Sequence, residues 1–461
     1  MNSEQRTINR NIILLVASLG SFLTPFMGSS INIAIPEIGA EFLSDAVLLS
    51  WVPTAYLLAS AIMIVPMGRL ADIRGRTKIF LAGIVIYTLG SLLSTMVPST
   101  EVLIMFRILQ GIGGAMIFGT SVAIVTSVFP ANLRGRALGI NVAFVYSGLA
   151  VGPVVGGILT EFFGWRSIFY ANVAIGLFIF IAGLKCLKIN EITEKKTRFD
   201  YQGSLLYAAT IFFVMLGFQE LSEPQGLLLM LAGLFTGAFF FIWEKRTEHP
   251  VFNITLLTEN RVFALSSLAA FINYSATFAI GFLLSIYLQM IKGFSPLNAG
   301  LILIAQPVMQ VILSPSAGKL SDRIESRIPA TAGMAMITAG LLLFSFLSEE
   351  TPVIIIIANL AFLGIGYALF SSPNTHAVMS SVSERYYGVA SGMLGTTRLC
   401  GMMASMGISM MIFAIIMQEI PLAEVPPGMI TESVNLAFMV FVILCAIGTV
   451  ASYIRNPKKS E

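Results

Sequence analysis

Charge is the scarcest commodity in this sequence. Only 11% of its 461 residues are Asp, Glu, Lys or Arg, against about 25% in a soluble domain, so most of the surface has to face lipid rather than water. Cysteine is nearly missing as well. Cys186, Cys400 and Cys445 all fall within or at the end of apolar stretches, which reads as lipid-buried or core thiols and implies no disulfide framework. The two histidines, His249 and His376, stand far apart without ligand neighbours, so no metal site is expected. No Gly-Lys-Ser/Thr phosphate loop occurs, which argues against direct ATP drive. No nucleophile, acid–base pair or metal cluster appears in the apolar stretches, and an enzyme is not expected. No cofactor and no nucleic-acid partner are expected either. A cleavable signal peptide is not expected, because Met1–Arg10 is short and polar and the first apolar run continues into a full span.

What the sequence has in abundance is apolar length. Hydrophobic residues make up 56% and the mean hydropathy is +0.86. Runs of about 20 apolar residues, the length that crosses a bilayer, recur from Ile12 to Ile454. Punctuation by polar turns predicts fourteen spans and three regions: a six-helix bundle over 11–188, a charged linker with two further helices over 189–261, and a second six-helix bundle over 262–455. The expected class is an all-α membrane protein. The first helix is expected near 11–35, the second near 50–68 and the last near 434–455.

Charge placement orients the chain. With an even number of spans both termini share a side, and if that side is cytoplasmic it holds 23 of the 27 Lys and Arg residues. That asymmetry is the positive-inside pattern. It predicts a multi-pass protein of the cell membrane with both termini in the cytoplasm. The same distribution explains the net charge of +3 without an acidic partner.

The chain also repeats itself. GRLADIRGRTK at 68–78 returns as GKLSDRIESR at 318–327, and Gly135-Arg-Ala-Leu-Gly139 followed by Gly148 is matched by Gly388-Val-Ala-Ser-Gly392 followed by Gly401. Two matches at nearly one offset argue for duplicated halves, a transporter architecture in which substrate binds near the midplane between them. A duplicated chain can work as a monomer, with a small-molecule substrate and membrane lipid as its partners.

Three motifs carry a more specific resemblance. The first is the loop at 68–78, with Gly68, Asp72, Gly75, Arg76 and Lys78. The second is LIMFRILQGIGGA at 103–115, which places Arg107 inside the membrane with Gln110 after it. The third is SGLAVGPVVGG at 147–157, in which Gly148, Gly152 and Gly156 share a helix face, Pro153 bends the helix, and Gly157 follows. Together they resemble the major facilitator superfamily over almost the whole chain. With fourteen helices, and with Asn32-Ile-Ala-Ile-Pro36 closing the first, the chain resembles its drug:proton antiporter group, which carries two extra central helices. The resemblance implies that the first motif, with Asp72 and its second-half counterpart Asp322, is a cytoplasmic latch, and that the third is an antiporter motif typical of exporters. It implies alternating access, with a proton gradient as the energy source.

The chain departs from that group at one point. The group's first-helix acid falls on Met27, beside Ser29 and Ser30. Glu37, Glu101, Glu161 and Glu220 all sit near outer helix ends, and Glu161, close behind the third motif, is the best coupling candidate. Arg107 either meets substrate or tunes a carboxylate, or is a structural Arg held by backbone carbonyls. Arg398, in GTTRLCG at 395–401, either adds to an electropositive core suited to anions or snorkels to the cytoplasmic end. Asn32, Gln110, Asn141 and Tyr146 are further candidates to line a cavity. The leading expectation is a proton-coupled exporter of drugs or other small, partly apolar compounds. The alternative is a uniporter or symporter for an organic anion or metabolite, centred on Arg107. A third reading, a membrane sensor that has lost transport, leaves intact gating motifs in both halves unexplained.

Overall fold

The computed structural model describes residues 3–187, 199–220, 224–247, 251, 258, 260–382, 387–418 and 420–454. Among these, fourteen helices are long and apolar enough to cross a membrane. The first bundle holds α1 (Ser3–Phe42), α2 (Ala46–Arg74), α3 (Arg76–Ser94), α4 (Thr100–Val128), α5 (Ala131–Phe163) and α6 (Arg166–Cys186). Then come α7 (Tyr201–Gln219) and α8 (Pro224–Arg246). The second bundle holds α9 (Arg261–Ile291) and α10 (Pro296–Ser321), followed by α11 (Arg327–Phe344), α12 (Val353–Ser380), α13 (Tyr387–Ile416) and α14 (Pro427–Ile454). Most of the charged linker, from Lys188 to Arg198, lies outside the described residues, as do His249 and the side chain of Asp322.

Several helices run past their expected ends. Pro36 does not close α1, which continues to Phe42 with Pro25 and Pro36 inside it. Likewise α2 begins at Ala46, capped by the Asp45 side chain on the Leu48 N–H at 2.8 Å. The last helix starts at Pro427, in the first-turn position where a missing N–H costs nothing. A water-facing polar residue at the end of a span is as compatible with helix as an apolar one, so polarity marks where the lipid ends and not where the helix ends.

Long helices here are also interrupted. In α9 the chain turns at Phe278 and Ala279, and the Ala279 N–H finds the Ser405 hydroxyl of α13 at 3.0 Å. A freed backbone donor inside a membrane bundle has to be satisfied by a neighbouring helix. The same helix ends in a π-helical turn, Tyr287–Ile291, which re-aims Gln289.

The two bundles meet along α2 against α13 and α5 against α10. The extra helices pack on each other through Gly217 and Gly233, and α7 lies against both α2 and α13. The Tyr207 hydroxyl donates to Ala61 O of α2 at 2.7 Å and stands 3.3 Å from Thr396 Oγ1 of α13. The inserted pair therefore flanks one seam between the bundles and separates neither of them from its partner.

Candidate functional site

The seam between the bundles is closed on the face opposite the termini. There Gln289 Nε2 donates to Ile33 O at 2.9 Å, and the Leu422 N–H donates to Ser44 O at 3.0 Å. The Glu161 carboxylate accepts from the Leu297 N–H at 3.0 Å. Close backbone approach makes this closure tight. A Cβ on Gly157 would lie 2.6 Å from Pro296 O, and one on Gly300 would overlap Pro153 O. Only glycine allows α5 and α10 to pack carbonyl against Cα in this way.

On the face that carries the termini the described residues pack less closely across the seam. Ile64 of α2 still lies near Gly395 of α13, its Cδ1 within 3.5 Å of where a Cβ would be. One turn further towards that face, Gly68 and Gly392 have no atom of a described residue within 4 Å of that point, and Gly139 of α5 is equally bare. Among the described residues Asp72 pairs with Arg76 of its own half, at 2.8 Å, while Lys78 is exposed. Gly75, at φ 107°, makes the break between α2 and α3 in a conformation that favours glycine.

Arg107 is built into the first bundle. It is 1% exposed. Its Nε donates to Val52 O at 3.0 Å, Nη1 donates to Gln110 Oε1 at 2.7 Å, and the guanidinium stands 4.7 Å from the Tyr56 ring centroid. Gln110 in turn donates to Ser91 Oγ at 2.7 Å. Backbone carbonyl, amide and ring together hold the cation among α2, α3 and α4. Asn141 is likewise an internal fastener, 2% exposed, with its Nδ2 3.1 Å from Ser21 Oγ and 3.2 Å from Ser121 Oγ.

The first-helix position that lacks an acid is also internal. Met27 is 1% exposed and its sulfur accepts from Asn172 Nδ2 of α6 at 3.1 Å. Ser30 donates to Gly152 O at 2.9 Å and Ser29 to Gly148 O at 3.3 Å. The glycine face of the third motif, with Gly148, Gly152 and Gly156, therefore packs on α1 within one bundle. Pro153 and Gly157, one step round the helix, face α10 of the other.

Besides Glu161, Pro153 and Gly157, three more of the sequence candidates reach the seam. Asn32 Nδ2 lies 3.5 Å from where a Cβ on Gly281 of α9 would be. The Tyr146 hydroxyl is 3.2 Å from Ser371 Oγ of α12. Arg398 lies eleven residues after the start of α13 at Tyr387, and its side chain crosses to α12, on the side of the seam that carries the termini. Its Nη2 donates to Thr375 Oγ1 at 2.6 Å and its Cζ is 5.7 Å from the Tyr274 ring centroid. Tyr274, Ser371 and Thr375 were not marked by the sequence. Hydroxyl residues are common in membrane helices, and nothing in their spacing sets these apart.

Two bundles thus meet tightly on one face and less tightly on the other, with an inserted helix pair at one seam. The profile described as Major Facilitator Superfamily matches residues 17–403 and, in a second overlapping match, 266–461. The chain belongs to the major facilitator superfamily. Among its relatives, it is 33% identical over 387 residues to the riboflavin transporter RibZ of Clostridioides difficile, covering 84% of each chain. It is 33% identical to the multidrug resistance protein Stp of Mycobacterium tuberculosis, over 85% of this chain and 73% of that one. It is 29% identical to the cephamycin export protein CmcT of Amycolatopsis lactamdurans, over 86% of this chain and 83% of the relative. A solved bacterial homologue of the human lysosomal transporter Spinster, in an inward-facing and unoccupied conformation, shares the fold over 97% of both chains, with a TM-score of 0.71 at 16% identity. Membership makes this a multi-pass membrane transporter of the superfamily and not an enzyme.

Proposed function

We propose that the protein is a secondary exporter that moves small, partly apolar organic compounds across the cell membrane by rocking of its two bundles, with the proton gradient as its energy source. The observation that carries the reading is the asymmetry of the seam. It is fastened on one face by Gln289, Leu297 and Leu422 and bare on the other at Gly68, Gly139 and Gly392. In this reading the termini are cytoplasmic, the bare face is the cytoplasmic entrance, and Asp72 and Asp322 become latches when that entrance closes. The export protein CmcT, the multidrug resistance protein Stp and the antiporter-type α5 motif support outward movement.

One observation favours the second reading, a carrier for an organic anion or metabolite such as the flavin moved by RibZ. Among the described residues, no carboxylate is paired with a cation in the central seam: the ion pairs are Arg76–Asp72, Arg166–Glu41 and Arg327–Glu325, all near helix ends. Transport by the full chain in proteoliposomes, with an imposed pH gradient and cationic, neutral and anionic dyes, separates the two. Gradient-dependent movement of several dyes supports a proton-driven exporter. Movement that ignores the gradient overturns proton coupling, and no movement of any dye or of riboflavin overturns the carrier reading.

A further inference from the structure

Among the described residues the guanidinium of Arg398, in the seam, makes one hydrogen bond and no ion pair. It sits eight residues into the apolar span of α13, which begins at Ala390, about 12 Å along the helix axis at ~1.5 Å per residue. A cation at that depth faces the bundle interior and needs a partner. The protein supplies little. One bond goes from Nη2 to Thr375 Oγ1, and Nε is buried with no acceptor. No ion pair among the described residues includes Arg398. This is the reverse of Arg107, whose Nε and Nη1 are both spent on Val52 O and Gln110.

The groups around Arg398 come from both bundles. Thr375 spends its own hydroxyl hydrogen on Ser371 O at 2.8 Å, which leaves its oxygen to accept from the guanidinium. Ser371 Oγ continues to the Tyr146 hydroxyl of α5 at 3.2 Å. Gln310 of α10 approaches the same hydroxyl, and Tyr274 and Arg398 are close enough to interact electrostatically with it. Groups from α5, α9, α12 and α13 thus gather around the guanidinium: the Tyr274 ring at 5.7 Å, the Thr375 hydroxyl at 2.6 Å, and Tyr146 within electrostatic reach. Arg donates in a planar fork that matches a carboxylate or sulfonate, and flanking phenol rings offer apolar faces to an aromatic body.

We infer that Arg398, with Tyr274, Tyr146 and Thr375, forms the anion subsite of the transported compound, and that the compound it takes is an aromatic organic anion. The anionic group sits on the Arg398 fork and the ring lies against Tyr274 and Tyr146. Because Tyr146 belongs to the first bundle and the other three to the second, an occupant ties α5 to α13 across the open entrance. This rests on the carrier reading, so the test measures binding without transport.

The experiment is equilibrium binding of fluorescein, an anionic aromatic dye, to the full chain in nanodiscs by fluorescence anisotropy. Rhodamine 6G serves as a cationic ring system of the same kind. Wild type is expected to bind fluorescein more tightly than rhodamine 6G. Arg398→Gln is expected to weaken fluorescein by about tenfold or more, as loss of a charged hydrogen-bonding partner does, and to leave rhodamine 6G unchanged or tighter. Arg398→Lys, which keeps the charge and loses the fork, falls between. Equal fluorescein affinity in wild type and a folded Arg398→Gln overturns the proposal. So does a wild-type preference for rhodamine 6G, a comparison that needs no variant. Read beside the proteoliposome assay, movement of rhodamine 6G or riboflavin without fluorescein binding sinks the anion subsite alone, while no movement of any dye or of riboflavin sinks the carrier reading as well.

Discussion

The Glu161 carboxylate on α5 accepts the backbone N–H of Leu297 on α10 at 3.0 Å, joining the two halves of the protein at the face opposite the termini. Leu297 is in the first turn of its helix, just after Pro296, where backbone donors lack internal partners. Each opening of that face has to break this bond. Glu161 is therefore a fastener of the closed face whether or not it carries protons.

The first prediction concerns that bond. Glu161→Ala leaves the Leu297 donor to water, and an exposed hydrogen bond of this kind is worth about 0.5–1 kcal/mol. The closed face should open about two- to fivefold more often. Labelling of a cysteine placed at Asn32 by a membrane-impermeant thiol reagent, applied from that face, should speed up accordingly. Unchanged labelling would mean that the bond does not hold the seam. If Glu161 also couples protons, Glu161→Gln abolishes pH-driven exchange and spares exchange without a gradient.

Gly300 gives a sharper perturbation. Its Cβ would overlap Pro153 O, so Gly300→Val forces α10 away from α5. Overpacking of a tight contact costs about 1–3 kcal/mol. The melting temperature of the protein as purified, in this conformation, should fall, and transport should fall with it. A Gly300→Val protein as stable and as active as wild type would show that this packing is not used.

Gly68 predicts the opposite pairing of effects. With no atom within 4 Å of its Cβ position, Gly68→Leu is expected to change stability by no more than about 0.5 kcal/mol, as for an uncrowded surface site. Transport should nevertheless be lost, because the added side chain occupies the space into which α13 has to move when the bare face closes. Full transport by Gly68→Leu would mean that α2 and α13 never approach there.

Arg107→Ala tests the role of the buried arginine of α4. Hydrogen bonds to charged groups are worth about 1.5–3 kcal/mol each, and this side chain makes two, to Val52 O and Gln110. The variant should unfold at a clearly lower temperature even without substrate. Reduced transport at unchanged thermal stability would instead assign Arg107 to the substrate.

The sequence disclosed the architecture more fully than the site, for a physical reason. Span count and class follow from hydropathy and charge asymmetry, because a bilayer penalises every charge and every unpaired peptide group. The seam was half legible: glycines at helical spacing announce a close approach, and Gly148, Gly152 and Gly156 do make one. The spacing does not say against which helix, and those three meet α1 while Gly157 meets α10. Polar residues in apolar helices were ambiguous in the same way. Arg107 and Arg398 look alike in sequence, yet one is spent on a carbonyl and an amide inside a bundle and the other faces the seam. Only the packing of helices distant in sequence distinguishes a fastener from a binding group.

Reciprocal movement of the two faces is the claim on which the rest depends. It can be read from two pairs of spin labels on the full chain in nanodiscs, by pulsed electron–electron distance measurement. One pair is Leu133 and Ile328, exposed near the bare ends of the two halves; the other is Met96 and Phe346, exposed on the fastened face. Between a high-pH and a low-pH sample, or with and without a transported dye, the first distance should shorten as the second lengthens, within one population. Two distances that stay fixed, or that change together in the same direction, would contradict alternating access in this protein.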